Sequence, residues 1–205
     1  QIRAGIQKLF RGLTPKIPRR EIASGVPSDL RKKMTPLFNP STIGSVEIRN
    51  RFVQSATYEC MATQNGEVTD NLVKRYVRLA KNEVGLVIPG YMYVHKGGRA
   101  MKYQTGIDSD DKVAGLKRLV DAVHNEDGRI LFQLAHAGRQ TTKEITGQRP
   151  IAPSAGKRDT VYLVKPKEMT LDEIQKVVES CGAAAQRADS AGADGVQSHA
   201  AHRYL

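Results

Sequence analysis

The sequence predicts an α/β fold of parallel strands joined through helices, on three observations. Short apolar runs alternate with stretches whose apolar residues recur at helical spacing, from residue 52 to the end of the chain. The segments after the apolar runs are long and rich in Gly, His, Arg and Gln, whereas those before them are tight, an asymmetry that fits a (β/α) barrel with its site at the C-terminal ends of the strands. Finally, Ser55-Ala56-Thr57-Tyr58-Glu59, which follows the first core strand, has no glycine fingerprint. That counts against the competing topology, a doubly wound nucleotide-binding sheet.

The elements follow in order. Ile43-Gly44-Ser45-Val46-Glu47-Ile48 sets a Gly-Ser turn between short alternating segments and predicts a small β-hairpin. Phe52-Val53-Gln54-Ser55-Ala56 is the first core strand. A helix is expected over residues 70–82, where Leu72, Val73, Tyr76, Val77 and Ala80 share one face. Gly85-Leu86-Val87-Ile88 is the second strand. A second helix is expected from Ser109, as N-cap, through Val113, Leu116, Leu119, Val120 and Val123 to the Asp127-Gly128 turn, and Arg129-Ile130-Leu131-Phe132-Gln133-Leu134 is the third strand. Thr170-Leu171-Asp172-Glu173 reads as a capping box opening a third helix, with Leu171, Ile174, Val178, Cys181, Ala185 and Ala188 as its buried face. Gly192 sits where the helix end needs a left-handed residue, and Asp194-Gly195-Val196-Gln197-Ser198 is the fourth strand.

Composition narrows the class. The 205 residues are 40% hydrophobic without tryptophan, a globular balance. The longest uncharged apolar run, Val84 to Val94, is too short to span a bilayer and holds Pro89 and two glycines, so no membrane partner is expected. Cys60 and Cys181 are the only cysteines and form no Cys-x-x-Cys pair, which points to a reducing, cytoplasmic setting and away from a structural zinc site. The net charge of +11 is mostly in residues 1–34, where nine Lys/Arg stand against Glu21 and Asp29. That stretch is expected to be a mobile basic extension ahead of a domain over 35–205; a targeting segment ranks below it, and nucleic-acid binding lower still, because no aromatics interleave the basic residues. Gln1 is not a translational start, so the chain is expected to be processed or partial.

Polar side chains gather where the predicted strands end: Ser55 and Thr57 after the first, Gln133 and His136 at the third, and His199, His202 and Tyr204 after the fourth. In a barrel these share one mouth, where an amide meets a planar ligand as donor and acceptor, histidines donate to its oxygens, and a phenol supplies a proton. Each has a plainer reading. Gln133 alone reads first as a core amide and Tyr204 as ordinary packing. His199-Ala200-Ala201-His202 lacks the carboxylate or cysteine partners of a metal site, so no metal is expected. Lys96-Gly97-Gly98-Arg99 lacks phosphate-loop spacing and reads as a solvated turn. Cys181 reads as a small core hydrophobe and Cys60 as a loop thiol without an activating neighbour in sequence.

Taken together, Leu37-Phe38-Asn39-Pro40, Asn50-Arg51-Phe52-Val53, Gln133-Leu134-Ala135-His136-Ala137-Gly138-Arg139, Ala152-Pro153-Ser154-Ala155 and His199-Ala200-Ala201-His202-Arg203-Tyr204-Leu205 resemble, in order and spacing, the Old Yellow Enzyme family of NADH:flavin oxidoreductases. The resemblance implies a (β/α)8 TIM barrel that holds FMN non-covalently and reduces activated carbon-carbon double bonds with NAD(P)H. By position it implies that Ser55, Ala56 and Thr57 line the flavin, that the backbone around Gly90 and Tyr91 contacts it, and that Gln133 bonds its pyrimidine edge. It also implies that His199 and His202 hold the carbonyl oxygen of an enone-type substrate and that Tyr204 donates the proton.

Three positions depart from the family. Arg203 stands where a glycine usually separates the second histidine from the tyrosine, Ser198 replaces an aliphatic residue, and Tyr58 stands where many relatives have a small Thr or Cys. A whole barrel takes about 250 residues, so the chain is expected to hold the N-terminal half, with its first four strands, and to be inactive alone. The alternatives are an iron-sulfur flavoenzyme resembling dienoyl-CoA reductase or trimethylamine dehydrogenase, and a non-catalytic half-barrel that works as a homo-oligomer.

Overall fold

The computed structural model describes residues 36–205, so the expected basic extension over 1–34 lies outside the described residues. Residues 39–205 form one compact unit. It opens with strands β1 (Ser41–Ile43) and β2 (Val46–Ile48), an antiparallel hairpin in the register Ile43↔Val46. Gly44 turns it at φ +60, in the left-handed region that glycine enters without a steric cost.

The core strands are all parallel. β3 (Val53–Gln54) pairs with β4 (Leu86–Val87), while β5 (Met92–Tyr93) pairs with β6 (Leu131–Ala135), which pairs in turn with β9 (Gly195–Ser198). A parallel bridge between Val87 and Ile130 ties β4 to the start of the third predicted strand, so β4 and β5 are two ends of one run interrupted at Pro89-Gly90. The order is therefore sequential: first run, second run, third, fourth. A doubly wound sheet would reverse direction after its first strands, so the sequential order favours the barrel topology. Among the described residues the sheet is open, with β3 and β9 at its edges.

Three helices lie on one face: α1 (Asp70–Lys81), α2 (Val113–His124) and, after the one-turn α3 (Lys143–Thr146), α4 (Leu171–Ser190). Leu72 and Tyr76 of α1, Leu116 and Val120 of α2, and Ala184 and Ala188 of α4 bury against Val87, Phe132 and Leu134 of the sheet. Phe132 has no exposed surface, and such a side chain contributes about 1.5–3 kcal/mol by leaving water. The other sheet face carries a smaller cluster, in which Ile48 of the hairpin packs with Leu86, Ile88 and Leu131. Strand alternation thus sorts Phe132 and Leu134 toward the helices and Leu131 and Gln133 toward the inner face.

The structure corrects the sequence reading in several places. Ser109 makes no side-chain cap bond; a 3-10 turn, Asp110–Lys112, precedes α2, and Ser109 Oγ accepts instead from Lys112 Nζ at 2.9 Å. The α1 cap is Thr69, whose hydroxyl accepts from Leu72 N. β5, α3 and a small parallel pair, β7 (Ile151–Ala152) with β8 (Lys167–Glu168), have no counterpart in the periodicity because each is too short to show a period. Gly97 and Gly98 are buried, not solvated, since the 3-10 turn Lys96–Gly98 seats them under Gln148 and His136. The buried face assigned to α4 holds only in its C-terminal half: Leu171 is 83% and Val178 59% exposed.

The capping box of α4 is present in full. Thr170 Oγ1 accepts from Glu173 N at 3.2 Å and Glu173 Oε2 accepts from Thr170 N at 2.9 Å. Thr170→Ala is expected to lower the unfolding free energy by about 1 kcal/mol, read as a shift of the urea midpoint at unchanged slope. No helix among the described residues is long and apolar enough to cross a membrane.

Candidate functional site

Because β3, β4/β5, β6 and β9 run in one direction, the segments that follow them emerge at the same edge of the sheet. The first is Ser55-Ala56-Thr57. Ser55 and Thr57 are exposed and Ala56 is half-buried against the inner cluster. Thr57 Oγ1 donates to Ser55 O at 3.2 Å, curling the chain toward the second run.

The second is the Pro89-Gly90-Tyr91 turn. Gly90 N donates to Tyr76 Oη at 3.1 Å and to Glu59 Oε1 at 3.3 Å, and Tyr76 Oη donates to the same Glu59 oxygen at 2.7 Å. A Cβ on Gly90 would collide with the Glu59 carboxylate and press on Thr57 O, so the turn can be this tight only with glycine. Burial, then the Glu59 charge, pushes the Tyr76 phenol up, which keeps it a donor.

The third element supplies Gln133 from the middle of β6 and His136 just past its end. Gln133 and Gln197 are register partners on the inner face, and Gln133 Nε2 donates to Gln197 Oε1 at 2.6 Å. Gln133 is half-buried and its amide is engaged by a side chain, which differs from a core amide satisfied by backbone.

The fourth is the segment after β9. His199 N donates to Leu134 O at 2.9 Å and Leu205 N to His136 O at 3.0 Å, so the segment is pinned at two points to the end of β6. Between the pins, Tyr204 N donates to Ala201 O at 3.0 Å, and His202 and Arg203 adopt φ +54 and +66. Arg203 thus occupies the left-handed conformation that glycine enters freely, at a cost of about 1–2 kcal/mol for a residue with a Cβ. Its guanidinium is held: Nη1 lies 3.4 Å from Asp159 Oδ2.

These segments bring Tyr91, His199, His202 and Tyr204 together. The His199 ring centroid lies 4.4 Å from Tyr204, 5.9 Å from His202 and 5.7 Å from Tyr91, and Tyr91 meets Tyr204 edge-on at 5.7 Å. Tyr58 stands 6.4 Å from Tyr91. Burial, then a hydrogen bond with Tyr91, raises the Tyr204 pKa, so the phenol holds its proton at every working pH. Burial, then His202, lowers the His199 pKa, which leaves a neutral N-H donor near pH 7. Polar donors and a proton-bearing phenol at one rim are what a carbonyl-bearing acceptor requires.

Several contributors escaped the sequence reading. Asp159, 1% exposed, accepts from Val161 N and Tyr162 N at 2.9 and 3.0 Å, from Gln140 Nε2 at 2.9 Å and from Arg203. Burial pushes its carboxyl up, but the two backbone donors and Arg203 outweigh that and hold it below the usual range. Nothing in its loop signals this role. Glu59, Tyr76 and the Tyr91 side chain were also missed; the first two are recognisable only once α1 packs. Gln197 had a signal, a polar residue at the inward register of a core strand.

Asp159→Asn places an amide where two donors converge and is expected to cost about 2 kcal/mol. Because the folded carboxyl pKa is lowered, its contribution is present above the unfolded value of 3.8 and disappears as pH falls through the folded one. Urea unfolding at pH 7 and pH 3 should show the variant's deficit at pH 7 shrinking in acid.

The two cysteines are free; Cys60 is exposed, and burial pushes up the thiol of Cys181, which packs on the helix-side core as a small hydrophobe. Among the described residues no three His, Cys, Asp or Glu side chains gather as metal ligands.

The chain spans about half or less of the length of the following relatives. It is 37% identical over 171 residues to an NADH oxidase of Thermoanaerobacter brockii, covering 82% of this chain and 26% of the relative. It is 38% identical over 175 residues to an NADPH dehydrogenase of Listeria monocytogenes, covering 84% and 50%. The solved Old Yellow Enzyme homologue of Zymomonas mobilis superposes with a TM-score of 0.75 at 32% identity, covering 83% of this chain and 50% of that one. An Old Yellow Enzyme from Pichia gives a TM-score of 0.78 at 28% identity, covering 84% and 47%. Residues 36–205, all that the structure describes, match the family model, and the chain belongs to the NADH:flavin oxidoreductase / NADH oxidase family.

Proposed function

We propose that this chain is the N-terminal half of a (β/α)8 barrel in an FMN-dependent oxidoreductase that passes hydride from NAD(P)H through the flavin to the activated double bond of an α,β-unsaturated carbonyl. The observation that carries this reading is the convergence of Tyr91, His199, His202 and Tyr204 at the C-terminal rim of a sequential parallel sheet. The donor set fits the ring end of a flavin, because Gln133 on the inner face offers one donor and one acceptor to a pyrimidine edge. Its bond to Gln197 would have to be exchanged on loading. Ser55, Ala56, Thr57 and the Gly90-Tyr91 backbone would form the adjoining wall.

When bound, the flavin supplies the redox chemistry. The residues of this chain supply orientation and charge stabilisation. His199 and His202 donate N-H groups to the substrate's carbonyl oxygen, which makes its β-carbon electrophilic, and Tyr204 gives its proton to the α-carbon. The partner is a small molecule, and the cysteine content fits a cytoplasmic setting.

The test compares the 205-residue chain with the full-length protein for flavin absorbance and for enone-dependent NAD(P)H oxidation. The full-length protein is expected to be yellow and active, and the half-barrel inactive; a colourless, inactive full-length protein rejects the reading. A cysteine-rich downstream segment would place the protein in an iron-sulfur branch. A second reading, self-association of the half-barrel, rests on the exposed Leu171, Val178 and edge residues Val53 and Val196. A compact, flavin-free dimer on sizing chromatography would support it.

A further inference from the structure

We propose that Glu59 and Tyr76 are positioning residues for the proton-donating step: they clamp the Gly90-Tyr91 turn from behind and thereby hold the Tyr91 ring against Tyr204. This rests on the reading above, in which Tyr204 donates the proton, and adds to it two residues remote from the substrate.

The clamp is a closed triangle. Glu59 Oε1 accepts from Tyr76 Oη at 2.7 Å and from Gly90 N at 3.3 Å, and Gly90 N also reaches Tyr76 Oη at 3.1 Å. Each member is fixed independently. Tyr76 is 1% exposed in the α1 core, so its hydroxyl cannot wander. Gly90 leaves no room for a Cβ beside the carboxylate. Pro89, with no N-H of its own, and Ile88, whose N donates to Gln54 O at 2.8 Å, fix the approach to the turn. The residue leaving this triangle is Tyr91, whose ring is the one member of the rim cluster supplied by the second strand. It meets both His199 and Tyr204 at 5.7 Å.

The Tyr204 segment needs such a wall. Its own turn passes through two non-glycine residues at positive φ, a conformation without intrinsic stability. Packing against Tyr91 at 5.7 Å, together with His199 at 4.4 Å, opposes rotation of the Tyr204 ring on that strained turn. Carboxylate charge is not the operative property of Glu59; its role is to accept two hydrogen bonds.

The experiment uses the full-length, flavin-loaded protein and separates the two half-reactions by stopped flow: reduction by NAD(P)H and reoxidation by an enone. Glu59→Leu removes the acceptor at similar volume and is expected to slow reoxidation tenfold to a hundredfold, on the order of what misplacement by about an ångström costs, and to slow the reductive step less, since the Gly90-Tyr91 backbone also adjoins the flavin. Glu59→Gln keeps the accepting oxygen and should restore most of the rate. Tyr76→Phe deletes one oxygen from a packed ring and should slow reoxidation severalfold, and it carries the test if Glu59→Leu fails to fold. Equal slowing of both half-reactions, or no slowing in a folded, flavin-loaded variant, overturns the inference while leaving the function intact. A wild-type protein that neither binds flavin nor reduces enones removes the reading on which the inference rests.

Discussion

Replacing Tyr204 by phenylalanine in the full-length, flavin-loaded protein is expected to slow enone reduction by a hundredfold or more while leaving flavin reduction by NAD(P)H within about twofold, the size typical of losing a positioned general acid. The substitution removes one oxygen and keeps the ring that packs at 4.4 Å from His199, so neither fold nor flavin site should suffer. His199→Ala should differ in kind. It removes a donor to the carbonyl oxygen, and its loss is expected on the order of a hundredfold to a thousandfold in rate. Because burial lowers its pKa, the His199 ring acts as a neutral donor near pH 7. A Tyr204→Phe enzyme with wild-type reoxidation, or one whose reductive step falls equally, would remove Tyr204 from the proton-donor role.

Those residues were legible in the sequence because they lie at the ends of strands with clear apolar runs. Phe132 and Leu134 announce β6, and with it the place where Gln133 and His136 must stand. His199, His202 and Tyr204 follow β9 so closely that topology alone delivers them to the rim. What the sequence did not reveal depends on packing between elements far apart in the chain. Glu59 meets Tyr76 only once α1 packs, and Asp159 gains its partners only once Arg203 and Gln140 close on it. The α4 stripe failed for a related reason. Periodicity reports which residues are apolar, but whether Leu171 and Val178 are buried depends on what lies beside that face of the helix, and among the described residues both stay exposed. β4 was legible as a continuous apolar run, whereas β5 was not, because Pro89 and Gly90 break the ladder between them where the turn toward the rim begins.

His136 should make the fold acid-sensitive in a window well above that of the carboxylates. Its ring is 2% exposed, Nδ1 accepts from Gly138 N at 3.2 Å, and Nε2 is buried without a hydrogen-bond partner. Burial, with the His95 ring stacked 6.2 Å away adding to it, pushes its pKa down to about 4 from 6.5. A group depressed in the folded state stabilises fully above its unfolded pKa and loses that contribution as pH falls through the folded one. The unfolding free energy should therefore drop by roughly 3 kcal/mol between pH 6.5 and 4 and level off below, since a tenfold difference in proton affinity between the folded and unfolded chain is worth about 1.4 kcal/mol. His136→Asn, whose side-chain oxygen can still meet Gly138 N, should be less stable at pH 7 yet nearly flat across the same range; urea unfolding at half-unit pH steps measures both. A wild-type curve without slope there, or one whose slope survives in His136→Asn, would show that another group carries the proton uptake. The consequence reaches the rim directly. Protonation takes away the Nδ1 lone pair that holds Gly138, and the carbonyl of the same residue receives Leu205 N at 3.0 Å, so the anchor that keeps Tyr204 in place loosens in the pH range where His136 fills.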